Sequence, residues 1–112
     1  MGAVRVMALP AAPLDAAAAF HGEWLPRIRE QLATSADESS VLIFPPAEHS
    51  HRGWRLAAVQ ELARELAPRR INALACDSAG GEAAALALLY ECQGLTGQLL
   101  AIDPVGVVEA AA

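Results

Sequence analysis

Aromatic side chains are scarce in this sequence, 4% of its 112 residues. Basic residues are also few: 8 Lys and Arg stand against 13 Asp and Glu, for a net charge of −5. No basic cluster occurs beyond Arg69-Arg70, which argues against a nucleic-acid surface or a surface for anionic membranes. No apolar run is long enough to span a bilayer. The N-terminus, MGAVRVMALP, lacks the charged start, long apolar stretch and cleavage signal of a secretory peptide, so a cytoplasmic location is expected. Only two cysteines occur. Cys76 is expected at the C-terminal end of a strand and Cys92 near the end of the helix that returns from it. Those places lie about a strand length apart, roughly 17 Å. A disulfide needs Cα atoms within about 7 Å, so two free structural thiols are expected.

What is present is apolar and rich in alanine: 54% of the residues are hydrophobic. A chain of this length is expected to form one domain that buries roughly two thirds of its unfolded surface. The chain is organised around Gly53 to Asp77. Leu56, Val59, Leu62, Ala63 and Leu66 recur at helical spacing, with Arg55, Gln60, Glu61, Arg64 and Glu65 assigned to the other side. Pro68 predicts a helix end near Ala67. Arg69 and Arg70 then fall where a helix carbonyl end favours positive charge. Ile71 to Cys76 follows as a short apolar run, the pattern of a strand buried on both faces of a parallel sheet.

The remaining elements fall in place around it. Val4 to Leu9 predicts a first strand, ended by Pro10 and Pro13. Asp15 is a suitable N-cap for a helix from Ala16 to about Leu32, with Phe20, Trp24, Leu25, Ile28 and Leu32 as its buried stripe. Pro26 inside that pattern predicts a kink, because the apolar spacing continues past it. Thr34 to Ser40 reads as a loop and Val41 to Phe44 as a buried strand. A short polar connection, AEHSHRG, leads to the central helix. Asp77 and Ser78 are potential caps for a helix from about Glu82 to Cys92, and Gly94 is a natural stop. Gln98 to Ile102 is the last strand, and residues 106–112 are a candidate for fraying. The order β-α-β-α-β-α-β implies an α/β fold: four strands in a mainly parallel sheet, right-handed crossovers, and helices on both faces.

Two separated stretches resemble the short-chain dehydrogenase/reductase (SDR) family. Glu65-Leu66-Ala67-Pro68, Arg69-Arg70 and Ile71-Asn72-Ala73 are similar to the family's ELAP, turn and RVNA sequence, with a turn one or two residues shorter. Leu95 to Asp103, LTGQLLAID, is similar to its last strand, often ITGQVLAVDG. The resemblance covers the family's second half, from the fourth strand to the seventh, and implies a Rossmann-like half-fold. It carries over neither cofactor nor catalytic chemistry. The only glycine pair, Gly80-Gly81, follows the third strand, and its spacing is not that of the Gly-rich turn that cradles a dinucleotide. Pro45-Pro46 stand where the family serine follows its strand. The tyrosine and lysine of the YxxxK motif fall near Glu48 and Arg52. Asn72 matches a family asparagine, but Ala75-Cys76-Asp77 replace the Pro-Gly that usually follows. No cofactor is therefore expected, and reductase activity by this chain alone is not.

Glu48, His49, His51, Arg52 and Arg55, with Asp77, are the candidate ligand-binding residues at the C-terminal edge of the sheet, where α/β proteins place ligands. His49 and His51 with Glu48 or Asp77 suit a metal in principle. A solvated loop or helix start explains so short a pattern more simply, and Arg52 and Arg55 near a helix N-terminus suit a small anion. Ser50 beside a histidine lacks both a nucleophile elbow and an orienting acid. In SDR oligomers the two helices matching 15–32 and 55–67 often pack against their copies. Trp24, Ile28, Leu56 and Val59 are accordingly the candidate interface of a homodimer or tetramer. Three readings remain: a non-catalytic module that self-associates or joins an SDR-type partner, a small-ligand or metal-binding protein, and a reductase completed by a second chain. The first is preferred.

Overall fold

A computed structural model describes residues 2–102 and the backbone of residues 108–110. Among the described residues five strands and four α-helices form in the order β1 (Gly2–Arg5), α1 (Pro13–Ala19), α2 (Leu25–Ala33), β2 (Ser39–Phe44), α3 (Arg52–Glu65), β3 (Arg70–Ala75), α4 (Ala79–Glu91), β4 (Leu99–Ile102) and β5 (Val108–Ala110). The first four strands are mutually parallel and lie side by side in chain order. The expected α/β fold with a parallel sheet is present. A fifth strand, absent from the sequence reading, pairs antiparallel with β4. It falls within the tail expected to fray; the other tail residues lie outside the described residues.

The helix after β1 starts earlier than Asp15. Pro13 occupies the first helical position, where its missing N–H costs nothing, and Asp15 lies in the first turn instead of capping it. Pro26 produces a change of winding. Phe20–Trp24 form a π-helical turn, closed by the Leu25 N–H on the Phe20 carbonyl, and α2 restarts with Pro26 in its own first turn. The extra residue of the π turn absorbs the donor that proline lacks. β1 ends at Arg5 and not Leu9, although the Val6 N–H still reaches the Ile43 carbonyl at 2.9 Å. Arg69 caps a helix other than the one it follows: its guanidinium donates to the Leu32 and Ser35 carbonyls at the end of α2.

Alternate residues of each strand face two separate cores. On one side Val4, Val6, Leu42, Phe44, Ile71 and Ala73 meet Phe20, Ile28 and Leu32 and the α3 residues Ala58, Val59, Leu62 and Ala63. On the other, Val41, Ile43, Leu74, Leu100 and Ile102 meet Ala85 and Leu89 of α4. The first two crossovers thus share a face, while α4 lies on the opposite one. With strands laid down steadily in one direction, a change of face is a change of hand. Uniformly right-handed crossovers and helices on both faces are incompatible in this order. The general preference makes the first two right-handed and the α4 connection left-handed. Burial favours the exception, because five aliphatic side chains, at about 1.5–3 kcal/mol apiece, would otherwise face water.

Two local devices seat α4. Ser78 is its N-cap, accepting the Gly81 N–H at 3.0 Å. A Cβ at Gly81 would lie 2.8 Å from the Ile102 side chain and 3.4 Å from the Cys76 sulfur, so the glycine permits helix and strand to close. Cys76 is buried, Cys92 is half-buried, and both are free thiols. Asn72, fully buried in β3, clamps the return into β4: its Nδ2 donates to the Leu95 carbonyl at 3.0 Å and its Oδ1 accepts the Gln98 N–H at 3.1 Å. Asn72→Ala strands both backbone groups. It is expected to lower the unfolding free energy by roughly 2–4 kcal/mol in urea titrations. A change within a few tenths would show that water replaces the clamp.

Candidate functional site

The C-terminal ends of β1 and β2 form a corner with the start of α3. Pro45 and Pro46 end β2 and force an extended path to Glu48. A 3-10 turn, His49–His51, then leads directly into α3. His51 turns inward and is buried. Its Nδ1 accepts the Trp54 indole N–H at 3.1 Å, which leaves the proton on Nε2, and Nε2 donates to the Ala11 carbonyl at 2.9 Å. His51 thereby ties α3 to the β1–α1 loop. Trp54 packs against Phe20 and Phe44 with ring centroids 5.5 and 5.8 Å apart, so three of the chain's few aromatic rings meet here.

Arg55 is the main correction to the sequence reading. Assigned to the polar side of the helix, it is instead only 4% exposed. The buried stripe of α3 runs Arg55, Ala58, Val59, Leu62 and Ala63, while Leu56 is half-buried. Its Nη1 donates to the Pro45 carbonyl at 2.9 Å, and its guanidinium carbon lies 4.6 Å from the Phe44 ring centre and 5.7 Å from that of Trp54. These contacts hold the charge by a hydrogen bond and by ring faces. The Nε–H has no partner. Burial pushes the guanidinium down to about 10, well below the ordinary arginine range.

The cleft outside this corner has a volume of about 380 Å³ and is lined by Leu9, Pro10, Pro45, Pro46, Glu48, His51 and Arg55, among others. It thus gathers three of the candidate ligand-binding residues, Glu48, His51 and Arg55. His49 and Asp77 are exposed and Arg52 half-buried, all outside the lining. His51 has both ring nitrogens committed, and no group of three or more His, Cys, Asp or Glu among the described residues is placed to hold a metal. Ser78, at the end of β3, is occupied in capping α4.

A family model described as SDR-like, short chain dehydrogenase-like protein, matches residues 4–102. The chain belongs to the SDR-like family. No curated protein and no solved structure matches it. In this SDR-like chain the two positions that resemble the YxxxK pair differ in setting: Glu48 is exposed at the cleft mouth, and Arg52 is the first residue of α3. Asn72 is engaged in the backbone clamp. Among the described residues no helix is long and apolar enough to cross a membrane.

The candidate interface divides. Ile28 and Val59 are fully buried beneath α2 and α3, because the stripe at their spacing faces the sheet, so neither is available to a partner. Trp24 and Leu56 are half-buried against the same core. The Cys76 thiol and the exposed Met7 lie near another small cleft, on the face opposite α3.

The depressed Arg55 group makes stability depend on alkaline pH. Below about 10 the guanidinium is charged in both states, and the full burial penalty opposes folding. Above about 10, and below the ordinary arginine range, the unfolded chain binds a proton that the folded chain does not, so this group's contribution to stability rises with pH. Arg55→Met lacks that dependence. The stability of the natural chain relative to the variant is expected to improve as urea titrations move from neutral pH to above 10. A gap that stays constant would mean that the buried guanidinium keeps its proton.

Proposed function

We propose that this SDR-like chain is a non-catalytic module that works by association, with a second copy of itself or with an SDR-type partner, through the outer surface of α2 and α3. The observation that carries the reading is an open groove of about 720 Å³ between these helices. Phe20, Leu25, Trp54, Ala57 and Leu62 supply its apolar lining. Its rim carries both signs of charge: Arg29 holds Glu65 through two hydrogen bonds of 2.9 and 2.7 Å, and Arg64 pairs with Glu61. A rim of alternating sign can meet its own copy across a two-fold axis, Arg against Glu in both directions. The contact therefore involves Leu25, Trp54 and Ala57 instead of Ile28 and Val59.

The absence of a tyrosine or lysine at Glu48 and Arg52 supports a role without hydride transfer, since neither residue supplies a phenolic acid or the ammonium beside it. Ala57 tests the surface without touching the core, being exposed on α3. Light scattering on the natural protein at micromolar concentration is expected to give a dimer or tetramer, or a mixed assembly with a longer SDR chain. Ala57→Arg is expected to give a folded monomer. A natural protein that is already monomeric and alone, or an Ala57→Arg variant that remains assembled, would overturn this surface.

A further inference from the structure

We propose that the cleft above Arg55 is a binding site for a compact monocarboxylate, with the arginine fork holding the carboxylate and the proline walls holding a short apolar or aromatic body. Arg55 is the one buried side chain there whose chemistry is incomplete. It is 4% exposed, yet its Nε–H meets no acceptor. No acidic side chain among the described residues forms an ion pair with it. A charge removed from water is normally met by an opposite charge or by a full set of hydrogen bonds. Here one hydrogen bond and two ring faces provide part of that set.

The same molecule shows what completes an arginine. Arg29 uses Nε and Nη2 side by side to hold both oxygens of Glu65. In Arg55, Nη1 is committed to Pro45, so the edge that Arg29 uses is the edge bearing the orphan Nε–H. A planar carboxylate matches that fork with two parallel hydrogen bonds. Helix α3 begins at this edge of the sheet, and its N-terminal end adds positive potential.

The rest of the cleft restricts the ligand. Its volume of about 380 Å³ is at the small end of ligand pockets. Leu9, Pro10, Pro45 and Pro46 form apolar walls, and His51 contributes a ring whose two nitrogens are already bonded. Glu48 stands in the same lining, and the chain carries a net charge of −5. Both disfavour a polyanion such as phosphate and leave a single negative charge with an apolar body as the best match.

The guanidinium Nε–H gives a direct readout. Benzoate and butyrate, titrated into nitrogen-15-labelled full-length protein, are expected to move the Arg55 Nε–H resonance saturably. Inorganic phosphate is expected to act more weakly at equal ionic strength. Glu48→Gln removes the competing carboxylate and is expected to tighten benzoate binding roughly threefold. Arg55→Lys keeps the charge but loses the fork, and is expected to abolish saturable binding. Should the Arg55 variants fail to fold, the natural chain and Glu48→Gln suffice. An Arg55 Nε–H that neither carboxylate moves, or that chloride or phosphate moves equally well, would overturn the proposal, as would Glu48→Gln weakening the binding.

Discussion

One buried positive charge sets the geometry of the functional corner. The Arg55 guanidinium sits beneath Phe44 and Trp54 and reaches the Pro45 carbonyl, fixing where the first turn of α3 meets the end of β2. Trp54, which faces the arginine, has its indole N–H taken by His51, and His51 is held by Ala11. The corner is therefore a chain of dependent contacts running from the β1–α1 loop to the β2 terminus. The Trp54 indole N–H, the His51 Nε2–H and the Arg55 Nη1 each have one acceptor, so in a low-dielectric setting loss of any link leaves its neighbour unsatisfied.

Away from this corner the fold is governed by how apolar strands are covered. Strands added one after another in a single direction leave one face bare if every crossover has the same hand. Helix α4 covers that face at the cost of handedness. The contact depends on a position without a side chain, Gly81, and on a serine cap. Asn72 then holds the return loop so that β4 enters in register. Gly81 and Asn72 thus have packing and backbone roles here, while a Cβ at Gly80 would meet nothing.

The sequence made the helix–strand alternation legible because the strands are continuous apolar runs and α3 carries a clear stripe. The ends of elements were less so. Pro13 began a helix that Asp15 was expected to cap, and a π turn took up the irregularity assigned to a kink at Pro26. The antiparallel β5 was missed because three residues within a tail carry almost no periodic signal. The handedness of α4 was out of reach, since the hydrophobic pattern says that a helix covers a sheet but not which face it covers. At the site, the neighbourhood of Glu48, His51 and Arg55 was legible, while their roles were not. A hydropathy pattern places Arg55 among polar residues because it treats every arginine as solvated; the rings that accept it, Phe44 and Trp54, are brought to it only by the fold. The sole local signal was its spacing of four and seven residues before Val59 and Leu62, on their stripe.

The edge that corresponds to the dehydrogenase catalytic edge is, in this chain, a structural corner leading to a small cleft. The most direct measurement is the state of the His51 ring and the Trp54 indole, read by long-range nitrogen-15 correlation and by hydrogen exchange. The account predicts that His51 carries its proton on Nε2, with Nδ1 unprotonated, and that the Trp54 indole N–H exchanges slowly. A His51 ring averaging between tautomers, with an indole proton exchanging as fast as in a free peptide, would contradict it.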